Sequence, residues 1–81
     1  MNKTDLKRFH RRLLINEFRP TDQESAAAMN SFMAEYSQFH ELKNRGMGLQ
    51  AEIKFYDCKP LVREIKRMLR NGQIIEGANN E

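Results

Sequence analysis

Three residues in this chain have the donor atoms of a soft metal site: His10, His40 and Cys58. A structural zinc site needs four such donors at characteristic short spacings, and these three match no such pattern. Each histidine falls on an apolar face at helical spacing, which reads as a satisfied core or boundary residue. Cys58 is the only cysteine and follows Asp57; it cannot form an intrachain disulfide and reads as a small packing group in a reducing compartment. No serine, cysteine or lysine occupies a nucleophile motif, and Gly46-Met47-Gly48 is too short to cradle a phosphate. Met29, Met33 and Met68 read as core filler, with Met47 left in a loop. The expectation is a protein that is not an enzyme, with no metal, no cofactor and no small-molecule substrate.

The chemistry the chain does carry is ionic. Fourteen Lys and Arg against eleven Asp and Glu leave a formal charge of only +3, but the charges are segregated. Residues 1–20 carry +4, residues 21–44 carry −3, residues 45–58 cancel, residues 59–72 carry +4 and residues 73–81 carry −2. On a helix, Arg63, Lys66, Arg67 and Arg70 project within about 100° of one another, opposite an apolar stripe. Lys7, Arg8, Arg11 and Arg12 likewise share one side of a helix opposite its apolar residues. Two basic helical faces on a small domain form an electrostatic footprint for a phosphate backbone or an acidic protein surface. Charged outer faces also suit any soluble helix, and the acidic middle segment can neutralise the first from within the fold. Glu64 is the only acid among residues 59–72, which makes the C-terminal array the stronger candidate. Neither the spacing of a helix-turn-helix nor interleaved exposed aromatics is evident; Tyr56, beside Lys54, is the single aromatic suited to base stacking.

Positioning these arrays requires elements that the apolar periodicity supplies. Leu6, Phe9, Leu13 and Leu14 predict a first helix over 5–18, with Ile15 and Phe18 off its stripe. Either that helix is buried on more than one side or it ends near Leu14. Arg19-Pro20 closes the segment. Thr21-Asp22-Gln23-Glu24 has the form of a capping box and opens a second helix. Its apolar line is Ala26, Met29, Phe32, Met33, Tyr36, Phe39 and His40, and Gly46 is suited to end it. From Leu49 the period changes to two, since Leu49, Ala51, Ile53 and Phe55 alternate with polar residues and Tyr56, and this predicts a strand. Pro60 suits the first turn of a third helix carrying Leu61, Val62, Ile65, Met68 and Leu69, which Asn71-Gly72 ends. Ile74-Ile75 predicts a short second strand.

The expected fold is therefore a small, mainly helical α+β domain in the order helix, helix, strand, helix, short strand. It occupies residues 1–76, with 77–81 a frayed tail. Eighty-one residues suffice for one domain, 40% hydrophobic and 31% charged residues are the proportions of a globular chain, and no apolar run nears the ~18 residues of a membrane span. The N-terminus has no secretory pattern, so a cytoplasmic location is expected. An eight-residue strand cannot leave both its edges unpaired. Gln50, Glu52, Lys54 and Tyr56 would line the exposed row of an edge completed by a homodimer through 49–56, by a partner's strand, or by Ile74-Ile75 of the same chain.

With Lys7-Arg8-Phe9-His10-Arg11-Arg12 and Arg63-Glu64-Ile65-Lys66-Arg67 as its basic segments, the chain resembles the small basic modulators of temperate phages and plasmids, such as corepressors of the Bof (Lxc) type. The resemblance is one of overall length, basicity and lack of enzyme motifs. It implies a regulatory accessory protein that binds a DNA-bound transcription repressor and strengthens its grip on operators. Two other readings stand beside it: a direct, non-specific nucleic-acid binder, and a phage-type inhibitor that covers a host protein by strand addition.

Overall fold

A computed structural model describes residues 1–77, and three helices account for most of them. The order is α1 (Lys3–Leu14), β1 (Phe18–Pro20), α2 (Gln23–Asn44), α3 (Gly48–Arg70) and β2 (Ile74–Glu76). The α+β, mainly helical class expected from the sequence is the class observed. Helices of 22 and 23 residues, at 1.5 Å rise per residue, each run about 33–35 Å, which accounts for the 40 Å long axis of the molecule.

The core lies along one face of α2. Phe32, Tyr36 and Phe39 recur at helical spacing and are all buried, Phe32 completely. On one side α1 brings Leu6, Phe9 and Leu13; on the other α3 brings Ala51, Phe55, Cys58, Val62, Ile65 and Met68. Phe9 meets Phe32 edge-on at 5.4 Å between ring centroids, and Phe39 meets Phe55 at 6.1 Å. Phe18 of β1 lies 5.7 Å from Phe9, so the row of rings extends into the sheet.

The first helix stops at Leu14, the shorter of the two possibilities left by its stripe, because Asn16 adopts φ +60° and turns the chain back. The N–H of Glu17 donates to the Arg12 carbonyl and that of Asn16 to the Leu13 carbonyl, the paired bonds of a left-handed helix stop. The same device ends α2: Gly46 sits at φ +75°, with Met47 donating to Leu42 and Gly46 to Lys43. The reversal needs only Arg45–Met47, so α2 and α3 form an antiparallel hairpin. The start of α2 differs from the expected box. Asp22, not Thr21, is the cap; its carboxylate accepts the Ser25 N–H at 2.8 Å, and the buried Ser25 hydroxyl donates to it at 2.6 Å. Thr21 instead donates through both its N–H and its hydroxyl to the Gln73 carbonyl, at 2.8 and 2.9 Å.

The largest departure is the predicted strand over 49–56, which is the first third of α3. At 100° per residue, positions two apart lie almost opposite one another on a helix. An alternation of apolar residues therefore arises equally from a helix with two apolar faces. Here Ala51 and Phe55 are buried, whereas Leu49 and Ile53 are 76% and 55% exposed. A helix also satisfies its backbone groups internally, which removes the unpaired strand edge and the need for a neighbour to complete it. Pro60 lies inside α3 rather than at its start, on the solvent-facing side. There water can bond the Tyr56 carbonyl that its missing N–H leaves open.

The expected short strand at Ile74 exists, but its partner is β1. The two run antiparallel, with Phe18 opposite Glu76, Arg19 opposite Ile75 and Pro20 opposite Ile74. Of the tail expected over 77–81, only Gly77 is among the described residues, and its N–H donates to the Glu17 carbonyl at 3.0 Å.

Because the fully buried Phe32 meets Phe9 and His10 of α1 and adjoins Tyr36 in the row of rings, its truncation exposes the weakness of a small core. Phe32→Ala is expected to cost about 3–5 kcal/mol, a large share of the ~5–15 kcal/mol typical of whole domains. Urea unfolding followed by far-UV circular dichroism measures it.

Candidate functional site

The four basic residues of α1 do not share one surface. Arg8 and Arg12 lie on the flank toward α3, where they meet Lys66 across a shallow groove of 440 Å³ floored by Phe9. Lys7 and Arg11 lie on the other flank, facing α2 across a cleft of 690 Å³ together with His10, His40 and Arg45. The reason is geometric: the cations span a wider arc of α1 than any one groove covers, and packing against both α2 and α3 divides them.

Arg12 is occupied within the fold. Its guanidinium bonds Glu17 at 2.5 Å and Glu76 at 3.0 Å and lies 4.5 Å above the Phe18 ring. It clasps the turn after α1 to the last strand and so closes the sheet. Arg67 is likewise paired with Glu64 one turn earlier, which holds that carboxyl below the usual range. Of the eight basic candidates, Arg8, Arg63, Lys66 and Arg70 remain as one exposed shoulder running from α1 onto the C-terminal half of α3. No ion pair engages them among the described residues. Arg45, at the turn between α2 and α3, was not a candidate from the sequence; nothing but the cleft geometry places it beside Lys7 and Arg11.

Gln50, Glu52, Lys54 and Tyr56, expected to line a strand edge, are spread around a helix instead. Glu52 bonds Lys3 of α1 at 2.7 Å, and Lys54 bonds Glu35 of α2 at 3.0 Å, so both tie α3 to its neighbours. Tyr56 is 56% exposed, with the Lys59 ammonium 4.5 Å over its ring. Dimerisation by strand pairing through 49–56, and inhibition by donating that strand, both lose their structural basis.

The histidines pack as boundary residues. His10 stacks on Tyr36 with centroids 4.0 Å apart and planes 19° from parallel, and His40 shares a hydrogen bond of 3.2 Å with Asn44. Burial, then the neighbouring His40, holds the His10 imidazole below its ordinary pKa. Cys58 is fully buried, and burial, with Glu35 and Asp57 adding, pushes its thiol up to about 11. At neutral pH it is a protonated packing group with little nucleophilic character. Among the described residues no group of three or more His, Cys, Asp or Glu is placed to hold a metal ion, and no helix is long and apolar enough to cross a membrane.

The fold and its surfaces thus define a class, a helical hairpin buttressed by a third helix and carrying a basic shoulder. No family model, curated protein or solved structure matches the chain.

Two measurements test these placements. Arg12→Ala removes an ion-pair network and a cation–π contact, each worth roughly 0.5–1 kcal/mol; thermal melts are expected to show that loss, with Arg8→Ala near neutral. For His10, the unfolded chain takes up a proton more readily than the folded one. Its contribution is therefore fully present above the ordinary value of 6.5 and is lost as pH falls below that and through the lower folded-state value. His10→Gln is expected to flatten the decline of stability between pH 7 and 5, measured by urea unfolding across that range.

Proposed function

We propose that this protein is a small, non-enzymatic regulatory accessory factor of corepressor type that works in the cytoplasm. It docks on a DNA-bound transcription repressor and adds phosphate contacts from its basic shoulder. The observation that carries this reading is the junction of α1 with α3, where Arg8 adjoins Lys66 and continues into Arg63 and Arg70, with no ion pair on any of the four among the described residues. Four such cations on one side of a small domain, with Asp5 lining the groove beside Arg8, leave an excess of positive charge that an anionic surface would accept.

The manner of contact follows from what surrounds those cations. The long hairpin of α2 and α3 presents no short recognition helix projecting from a tight two-helix unit, so base reading in the major groove has no vehicle. Nor does a stacking platform accompany them: Phe9, Phe18, Phe32, Tyr36, Phe39 and Phe55 are all buried, and the exposed Tyr56 lies along the solvent face of α3. What is left is sequence-independent contact with the duplex backbone, whose specificity comes from the repressor alongside.

Affinity capture followed by mass spectrometry identifies the repressor, and an operator gel shift of that repressor at two salt concentrations tests the effect. The protein is expected to tighten operator binding and to steepen its salt dependence by about 0.9 in log–log slope for each phosphate neutralised. The triple substitution Arg63→Glu, Lys66→Glu and Arg70→Glu is expected to abolish the enhancement while far-UV circular dichroism stays unchanged. Operator affinity that ignores the protein would end this reading. Salt-sensitive binding of random duplex by the isolated protein would favour the direct nucleic-acid binder.

A further inference from the structure

The solvent-facing side of α3 carries a second apolar seam. Leu49, Ile53, Tyr56 and Pro60 recur at intervals of four, three and four, which places them within about 60° of one another at 100° per residue. All four are exposed, Leu49 more than Ile53 or Tyr56, and they lie diametrically opposite the buried Ala51, Phe55, Cys58 and Val62. An alternating four-three spacing is the pattern by which helices pair with one another. Among the described residues only the Lys59 ammonium, over the Tyr56 ring, lies against it.

We infer that α3 pairs with α3 of a second copy of this chain, antiparallel, about a twofold axis passing between Lys54 and Phe55. The charges flanking the seam select both the occupant and the direction. Glu52 and Lys59 stand seven residues apart on one flank, Gln50 and Asp57 seven apart on the other. In the antiparallel arrangement Leu49 packs on the partner's Pro60 and Ile53 on the partner's Tyr56. Glu52 then faces the partner's Lys59, and Lys59 the partner's Glu52, while Gln50 faces the partner's Asp57. Both flanks are complementary to themselves under the twofold. In a parallel arrangement Glu52 would face the partner's Asp57, and the seam would run on into Arg63 against the partner's Arg63.

The two charged groups are placed for this. Lys59 already lies at the rim of the seam, 4.8 Å over Phe55 and 4.5 Å over Tyr56, and Glu52, bonded to Lys3 at 2.7 Å, stays nearly half exposed. Pairing would add the partner's ammonium to that carboxylate without breaking a core contact. The seam is only about 16 Å long, small beside the ~800 Å² per partner of a standard interface, so the association is weak and depends on concentration. The antiparallel pairing also sends the two Arg63 to Arg70 segments to opposite ends of the dimer, away from each other's charge.

Sedimentation velocity of the full chain, from low micromolar to near millimolar concentration, tests the inference. Wild-type protein is expected to move from monomer toward dimer across the series, and Ile53→Asp to remain monomeric with unchanged helicity. Glu52→Lys and Lys59→Glu are each expected to weaken dimerisation, since each makes both flank contacts repulsive. An equimolar mixture of the two is expected to associate about tenfold or more tightly than either alone, because every contact between the two variants is again attractive. A wild-type chain that stays monomeric throughout overturns the inference, as does dimerisation that Ile53→Asp leaves intact. Tighter self-association of Glu52→Lys overturns the antiparallel direction, since only the parallel pairing gains from that change.

Discussion

The structure depends on the row of rings along α2. Phe32, Tyr36 and Phe39 are the surface on which everything else is laid: α1 arrives through Phe9 and His10, α3 through Phe55, and the sheet through Phe18 by way of Phe9. A domain of this size buries too little area to tolerate separate cores, so one continuous contact line has to serve all five elements. Aromatic side chains suit that task, because each buries a large area and meets its neighbours edge-on or offset over several ångströms.

From that line the distribution of charge follows. Because α1 rests between α2 and α3, its cations are shared out to two grooves, and the one nearest the sheet, Arg12, becomes part of the closure. Three of the four acidic residues that lower the charge of the middle of the chain are used the same way. Glu35 receives Lys54, and Glu24 and Asp22 receive the Gln73 side chain, so these acids bind elements together instead of neutralising α1. The basic shoulder is what remains when the fold has taken the charges it uses.

Much of this was legible. The extent of α2 could be read from its apolar period and Gly46, the short β2 from Ile74-Ile75, and the C-terminal half of α3 from the clean stripe Val62, Ile65, Met68. Residues 49–56 are the exception, for a definite physical reason. Period two and a two-faced helix give the same alternation over eight residues, and Pro60 made a break look natural where none occurs. A test at helical period would have grouped Leu49 with Ile53 and Tyr56, and Ala51 with Phe55. The β1 strand left no comparable signal, since three residues ending in proline carry no period at all; it exists because Ile74–Glu76 comes back beside it.

By itself, the sequence determined the mainly helical character of the domain, the apolar face of α2 and the segregation of charge into two basic segments. These are local or compositional properties, decided by residue type and by spacing within a few turns. Tertiary structure alone decided which cations of α1 are free. Arg8 stands three residues after Asp5 and Arg12 has no acid within one turn, yet it is Arg12 that Glu17 and Glu76 hold while Arg8 faces outward; the Glu64–Arg67 pair, by contrast, is one that spacing shows. Tertiary structure also decided which of the two apolar faces of α3 is core and which is seam. A helix can offer both, and only the approach of α2 from one side settles which of them water keeps.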